Sequence, residues 1–256
     1  MGHERVGVLP RSRTWRAVVA GISDFAVSGD VAGLAERTLG NVRTRLDRIH
    51  EDQGVNAAFE FLVGLSATGG TPSVHPEWAD LPIDSATNLR LARALREWSS
   101  QRIGSLEYSA LAQAAASDAI AAWTSAHRRQ VSLFGDIDAS GAVWKQAATG
   151  AGFCELSRLF FAKFTERYLN YFLEREASAV LPTIGDRERF EVRMREHVDE
   201  ISRHAFETAK ITQSFAAGWF NRNARDARPS PQQIQGFLAH AFGKVREELL
   251  REGKRP

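Results

Sequence analysis

The apolar positions of this chain recur at three- and four-residue intervals almost from end to end, the period of helices that bury one face. Thr14 to Ala26 opens the series. The next segment starts at Asp30, a residue type suited to an N-cap. It runs to His50 with Val31, Ala35, Leu39, Val42, Leu46 and Ile49 on one face. Gly54 interrupts the pattern, and VNAAFEFLVGLSA, residues 55–67, supplies a third helix. Thr68 to Asp84 holds two glycines and three prolines and reads as a loop. It divides an N-terminal helical unit, residues 1–67, from a main bundle, residues 85–256. The alternative is a single domain spanning both.

Ser85 and Ser105 stand as N-caps before the next two helices, and the second of these, residues 106–129, is alanine-rich. Three long helices follow over Gly152–Ala177, Asp186–Asn221 and Pro231–Glu252. The last is the best marked. Ser230 is its N-cap, Pro231 its first residue, and Gln233 completes a capping box. Ile234, Phe237, Leu238, Ala241, Phe242, Val245 and Leu249 form its stripe. At 100° per residue, Asp186–Asn221 carries Phe190, Met194, Val198, Ile201, Ala205, Thr212, Ala216 and Trp219 on one side. Trp219 is therefore expected in the core. Strand-like patterning is confined to RVGVL, which predicts a short N-terminal edge strand, and to VSLF. The pattern predicts an all-α protein, a bundle of seven or eight helices.

One helix departs from single-faced patterning. Between Phe153 and Glu176, Phe153, Phe160, Phe164, Tyr168 and Tyr171 define one face, and Leu159, Leu169 and Leu173 lie on another. A helix with two apolar faces is either central in its bundle or shared with a partner chain. Leu159, Leu169 and Leu173 are the candidate partner-binding residues.

Composition narrows the class. The chain has 256 residues, 43% hydrophobic and 25% charged, as an ordinary globular protein does. Its single cysteine, Cys154, excludes an internal disulfide and a multi-cysteine zinc site. No stretch has the length of a membrane span. The expected setting is the cytosol, and the composition suggests a bacterial source. The net charge of +2 is uneven. Residues 1–50 carry 8 basic and 5 acidic groups, and residues 221–256 carry 8 and 4, while the middle is acidic. Basic ends permit contact with phosphates. Candidate contacts are Arg128 and Arg129 at the end of one helix, and Arg222, Arg225 and Arg228 after the Trp219–Phe220 pair.

Candidate chemistry is sparse. In DIDASGAVW, residues Asp136, Asp138, Ser140 and Gly141 occupy positions one, three, five and six of an EF-hand-like calcium loop. The twelfth position, where a bidentate Glu is required, is Ala147. A turn capping a helix that starts near Ala142 accounts for the same residues. His197 and His204 flank Glu200, but two turns of helix, about 10 Å, separate the histidines. Arg45 and His50 in RLDRIH resemble the Arg-x4–6-His motif of HEPN ribonucleases, which are all-α and often dimeric. The resemblance would make Arg45 and His50 catalytic. In a regular helix the two lie about 140° apart and converge only across a bend. No phosphate-binding glycine motif and no nucleophile elbow is present, and no cofactor is expected.

The reading that follows is a non-enzymatic helical subunit or adaptor of a cytosolic assembly, acting through a protein partner or as a homo-oligomer. A nucleic-acid-binding module using the arginine-rich ends is the alternative, and a HEPN-like ribonuclease the third.

Overall fold

The computed structural model describes residues 13–29, 31–71, 75–81, 87–102, 104, 106–132, 139–207 and 215–252. Among them the chain is all-helical, with ten α-helices and no strand. The organising element is α7, Gly150–Val180. It packs against α1 (Arg13–Ser28), α2 (Ala32–Leu46), α3 (Gln53–Ala67), α5 (Leu106–Ser132) and α6 (Ala139–Ala147) on the side of the chain that precedes it. From the other side come α8 (Ile184–Glu207), α9 (Phe215–Asn223) and α10 (Pro231–Glu252). The remaining helix, α4 (Asn88–Ser100), packs on α3 and α5.

Central burial explains the two apolar faces. Phe160, Phe161, Phe164, Tyr168 and Phe172 are fully buried, and so are Leu169 and Leu173. Each such side chain contributes about 1.5–3 kcal/mol when removed from water. The leucine face of α7 is covered by the chain's own helices. Leu169 and Leu173 are 0% exposed, and Leu159 is half-buried against the same core. One continuous apolar cluster runs from Trp15 in α1 to Leu249 in α10.

The helix number exceeds the expected seven or eight for two reasons. Residues 139–147 form a helix of their own, α6. The segment expected as one helix over Asp186–Asn221 is two, α8 ending at Glu207 and α9 beginning at Phe215. The expected edge strand, RVGVL, lies outside the described residues. Val131 and Ser132, the start of the second strand-like run, close α5 instead.

Local signals hold where they are strong. Ser230 N–H donates to Gln233 Oε1 at 2.7 Å and Gln233 N–H to Ser230 Oγ at 3.2 Å, a reciprocal capping box. Asp52 caps α3 by accepting from Gly54 N–H and Val55 N–H. The loop after α3 is not a bare connector. It carries a 3-10 turn, Pro76–Trp78, and lays the buried Trp78 ring against Gly64, where an added Cβ would lie 2.7 Å from the ring. Distant helices are also tied by polar pairs. Trp15 Nε1 donates to Glu176 Oε1 at 3.1 Å, and Arg246 pairs with Asp47.

Among the described residues no helix is long and apolar enough to cross a membrane.

Candidate functional site

Five of the six tryptophans are at most 4% exposed, and the exception is Trp219. It stands in α9, which begins at Phe215, while α8 ends at Glu207. A wheel drawn through an unbroken helix puts Trp219 in line with Phe190, Met194, Val198 and Ile201, which are indeed buried. On α9 the buried positions are Ala216 and Phe220, one turn apart, so Trp219 is turned to the flank. Its indole still touches the core, 4.7 Å from Phe237 and 5.9 Å from Phe153 between ring centroids, but remains half-buried.

The exposed side of that ring lines a groove of about 560 Å³ between α9 and α10. The two helices run antiparallel. Asn223 lies beside Gln233 (2.8 Å), Trp219 beside Phe237, and Phe215 beside His240 with ring centroids 4.6 Å apart. Phe215, Trp219 and Phe237 give the groove an aromatic wall, and Arg222, Gln233 and His240 stand on its polar rim. Gly218 and Gly236 open its floor, since a Cβ on either would meet nothing within 4 Å. No carboxylate, thiol or hydroxyl is among the described residues lining it. The arrangement offers apolar area and hydrogen-bond donors, which is the chemistry of recognition.

The three arginines spaced three apart after Trp219 go three ways. Arg222 is exposed on the groove rim. Arg225 is exposed and pairs with the neighbouring Asp226 at 3.4 Å. Arg228 turns inward. Its Nε and one terminal nitrogen donate to Glu60 Oε1 at 3.1 and 2.9 Å, and the other terminal nitrogen donates to Asp80 at 2.8 Å. Burial works against its charge, but the hydrogen bonds to Glu60 and Asp80 hold the guanidinium above the ordinary arginine pKa. It lies 4.9 Å from the Trp78 ring and 5.3 Å from the Trp98 ring. Arg102 joins the same cluster, 3.4 Å from Glu60 Oε2 and 4.0 Å above Trp98. Arg228 thus anchors the α9–α10 loop to α3, and sequence spacing alone carried no signal of this.

A second polar region is a charged cleft of about 530 Å³ where α5, α7 and α8 meet. Arg167 bonds to Asp118 at 2.6 Å, and Arg195 to Glu166 at 3.0 Å. Glu174 has no such bond among the described residues. Partial burial, then the neighbouring Glu191, push its carboxyl above the usual range, while Arg167 pulls it down.

Several of the other sequence candidates lie outside the described residues. His50 sits in the 3-10 turn Ile49–Glu51, where its carbonyl accepts from Asn56 Nδ2 at 2.8 Å. Arg45 is in the last turn of α2, with its side chain outside the described residues, as are the side chains of Arg128 and Arg129 on α5. Asp136 and Asp138 lie outside the described residues, and Ser140 is in the first turn of α6. His197 and His204 are half-buried along α8 and Glu200 is exposed. Among the described residues no group of three or more His, Cys, Asp or Glu could hold a metal ion. Cys154 packs half-buried against the core. Comparison with family models, with curated proteins and with solved structures finds no match to this chain.

Proposed function

We propose that the chain is a non-enzymatic helical subunit of a cytosolic protein assembly, joined to its partner through the groove between α9 and α10. The observation that carries this reading is Trp219. It alone of the tryptophans keeps a ring half open to solvent, and it does so beside Phe215, Phe237 and an exposed arginine. Interface centres are enriched in such residues, because a rigid aromatic ring loses little freedom on docking while a flanking arginine adds directed donors. The test is a photo-crosslinking amino acid placed at Gly218, where an added Cβ meets nothing within 4 Å. A discrete adduct in cells that disappears with Trp219→Ala supports the reading, and the absence of any adduct sinks it.

The same pairing of Trp219 with Arg222 favours a second reading, a single-stranded nucleic acid whose bases stack on the indole. Arg228, held by Glu60 and Asp80, is then no phosphate contact. Binding to single-stranded DNA or RNA that weakens steeply with salt and is lost in Trp219→Ala separates the two readings.

A further inference from the structure

We infer that the partner in the groove is a second copy of this chain, with the two α10 helices antiparallel about a two-fold axis close to His240; the inference rests on the protein-partner reading given above. The first support is a line of residues on the outer side of α10, where His240 keeps its ring contact with Phe215 and Glu247 its pairing with Lys244. Gly236, His240, Gly243 and Glu247 fall within about 60° of one another around α10. Gly236, His240 and Glu247 are exposed. A Cβ added at Gly236, at Gly243 or at Gly218 on α9 would meet nothing within 4 Å. Glycine weakens a helix relative to alanine, and here the chain's own packing does not require it. It acquires a purpose when another backbone comes closer than a side chain allows.

The second support is self-complementarity, which an isologous contact demands. About a two-fold axis at His240, position 237 faces the partner's Gly243. Trp219, 4.7 Å from Phe237, then lays its open face over the partner's Gly243, where the missing side chain makes room. Position 233 likewise faces the partner's Glu247. Arg222 stands at that end of the groove, since its neighbour Asn223 bonds Gln233 at 2.8 Å. Among the described residues Arg222 makes no ion pair, and Glu247 pairs with Lys244 at 3.9 Å. The two-fold operation brings Arg222 to the partner's Glu247 twice. Reversal thus sets the exposed Arg222 of α9 against the exposed Glu247 of α10, with Lys244 and Arg251 also exposed at that end.

The experiment is the mass of the full-length chain in solution by light scattering, at concentrations up to about 100 µM. A dimer is expected. Arg222→Glu and Glu247→Arg should each weaken association by about tenfold or more, because two attractive pairs become two repulsive ones. The double variant Arg222→Glu, Glu247→Arg should restore it. Gly236→Leu should give a monomer with unchanged helical circular dichroism, because position 236 is exposed with nothing within 4 Å of an added Cβ, and the leucine blocks close approach in the dimer. A chain that stays monomeric throughout, or a dimer indifferent to Arg222→Glu and to Gly236→Leu, overturns the inference. The crosslinker at Gly218 then tells which reading has failed. An adduct with a different protein leaves the groove as a partner site and removes self-association, and no adduct removes both.

Discussion

Arg228 donates from two nitrogens to a single oxygen of Glu60, a residue 168 positions earlier in the chain. The pair is mostly shielded, with 26% and 17% side-chain exposure, and its second fork to Asp80 makes it a network. Removing the guanidinium leaves Glu60, among the described residues, with the longer bond from Arg102. Arg228→Ala should therefore cost roughly 2–4 kcal/mol, more than an exposed ion pair and less than a fully buried one. Arg228→Lys should recover little, since an ammonium cannot reproduce the fork. Denaturant unfolding of both variants checks this, and a loss below about 0.5 kcal/mol would mean that the loop is not anchored there.

Trp219 and its neighbour Phe220 should behave differently despite adjacency. Phe220 is fully buried and stacks on Phe153 at 4.6 Å, so Phe220→Ala should cost about 3–5 kcal/mol. Trp219 is half-buried and can lose its ring at roughly 1–2 kcal/mol. Its larger effect should fall on association. Thermal unfolding and solution mass, measured on both variants, separate the two residues. Equal losses of stability would place the indole in the core after all.

The open glycines permit a gain. Gly236→Ala and Gly243→Ala should each stabilise the isolated chain by about 0.8–1 kcal/mol, the difference in helix propensity. The measurement belongs in an Arg222→Glu background, so that any dimer does not contribute. Destabilisation would show that a neighbour within the chain already occupies that space.

Glu174 offers a test by pH. Its carboxyl lies above its ordinary value of 4.5 in the folded chain, first through partial burial and then through Glu191. The folded state therefore holds this proton more tightly than the unfolded state. The corresponding stability is fully present below the unfolded value and is lost as pH rises through the folded one. Glu174→Gln removes the loss, so the variant should melt above the parent near neutral pH and level with it in acid. A variant that melts lower at neutral pH would contradict this account of the cleft.

What the sequence showed and what it concealed divide by range. The capping box at Ser230 and the stripe of α10 depend on residues within one or two turns, and both stand as read. The double-faced patterning of α7 was legible, but periodicity could not say whether a partner or the chain's own helices covered Leu169 and Leu173. Residues 207–214 hold no glycine or proline, so the pattern reads as one helix where the structure has two, α8 ending at Glu207 and α9 beginning at Phe215. Arg228 looked like one of three equivalent cations because its acceptors, Glu60 and Asp80, come from α3 and the turn beyond it. The groove itself needs α9 and α10 folded back on each other, and no local pattern encodes that.

The central place of α7 has a consequence for synthesis. Trp15 in α1 finds its hydrogen-bond acceptor, Glu176, 161 residues later. At about 5–20 residues per second, roughly 10–30 s pass between their translation. During that interval α1 and α2 have been made but lack the helix on which they close. Nascent chains halted before residue 180 should accordingly be protease-sensitive and dependent on chaperones, and protection should arrive abruptly once α7 has left the ribosome. The unit of folding is then set by the arrival of one helix from the second half of the chain, and a transcript truncated ahead of it encodes exposed apolar surface instead of a smaller stable protein.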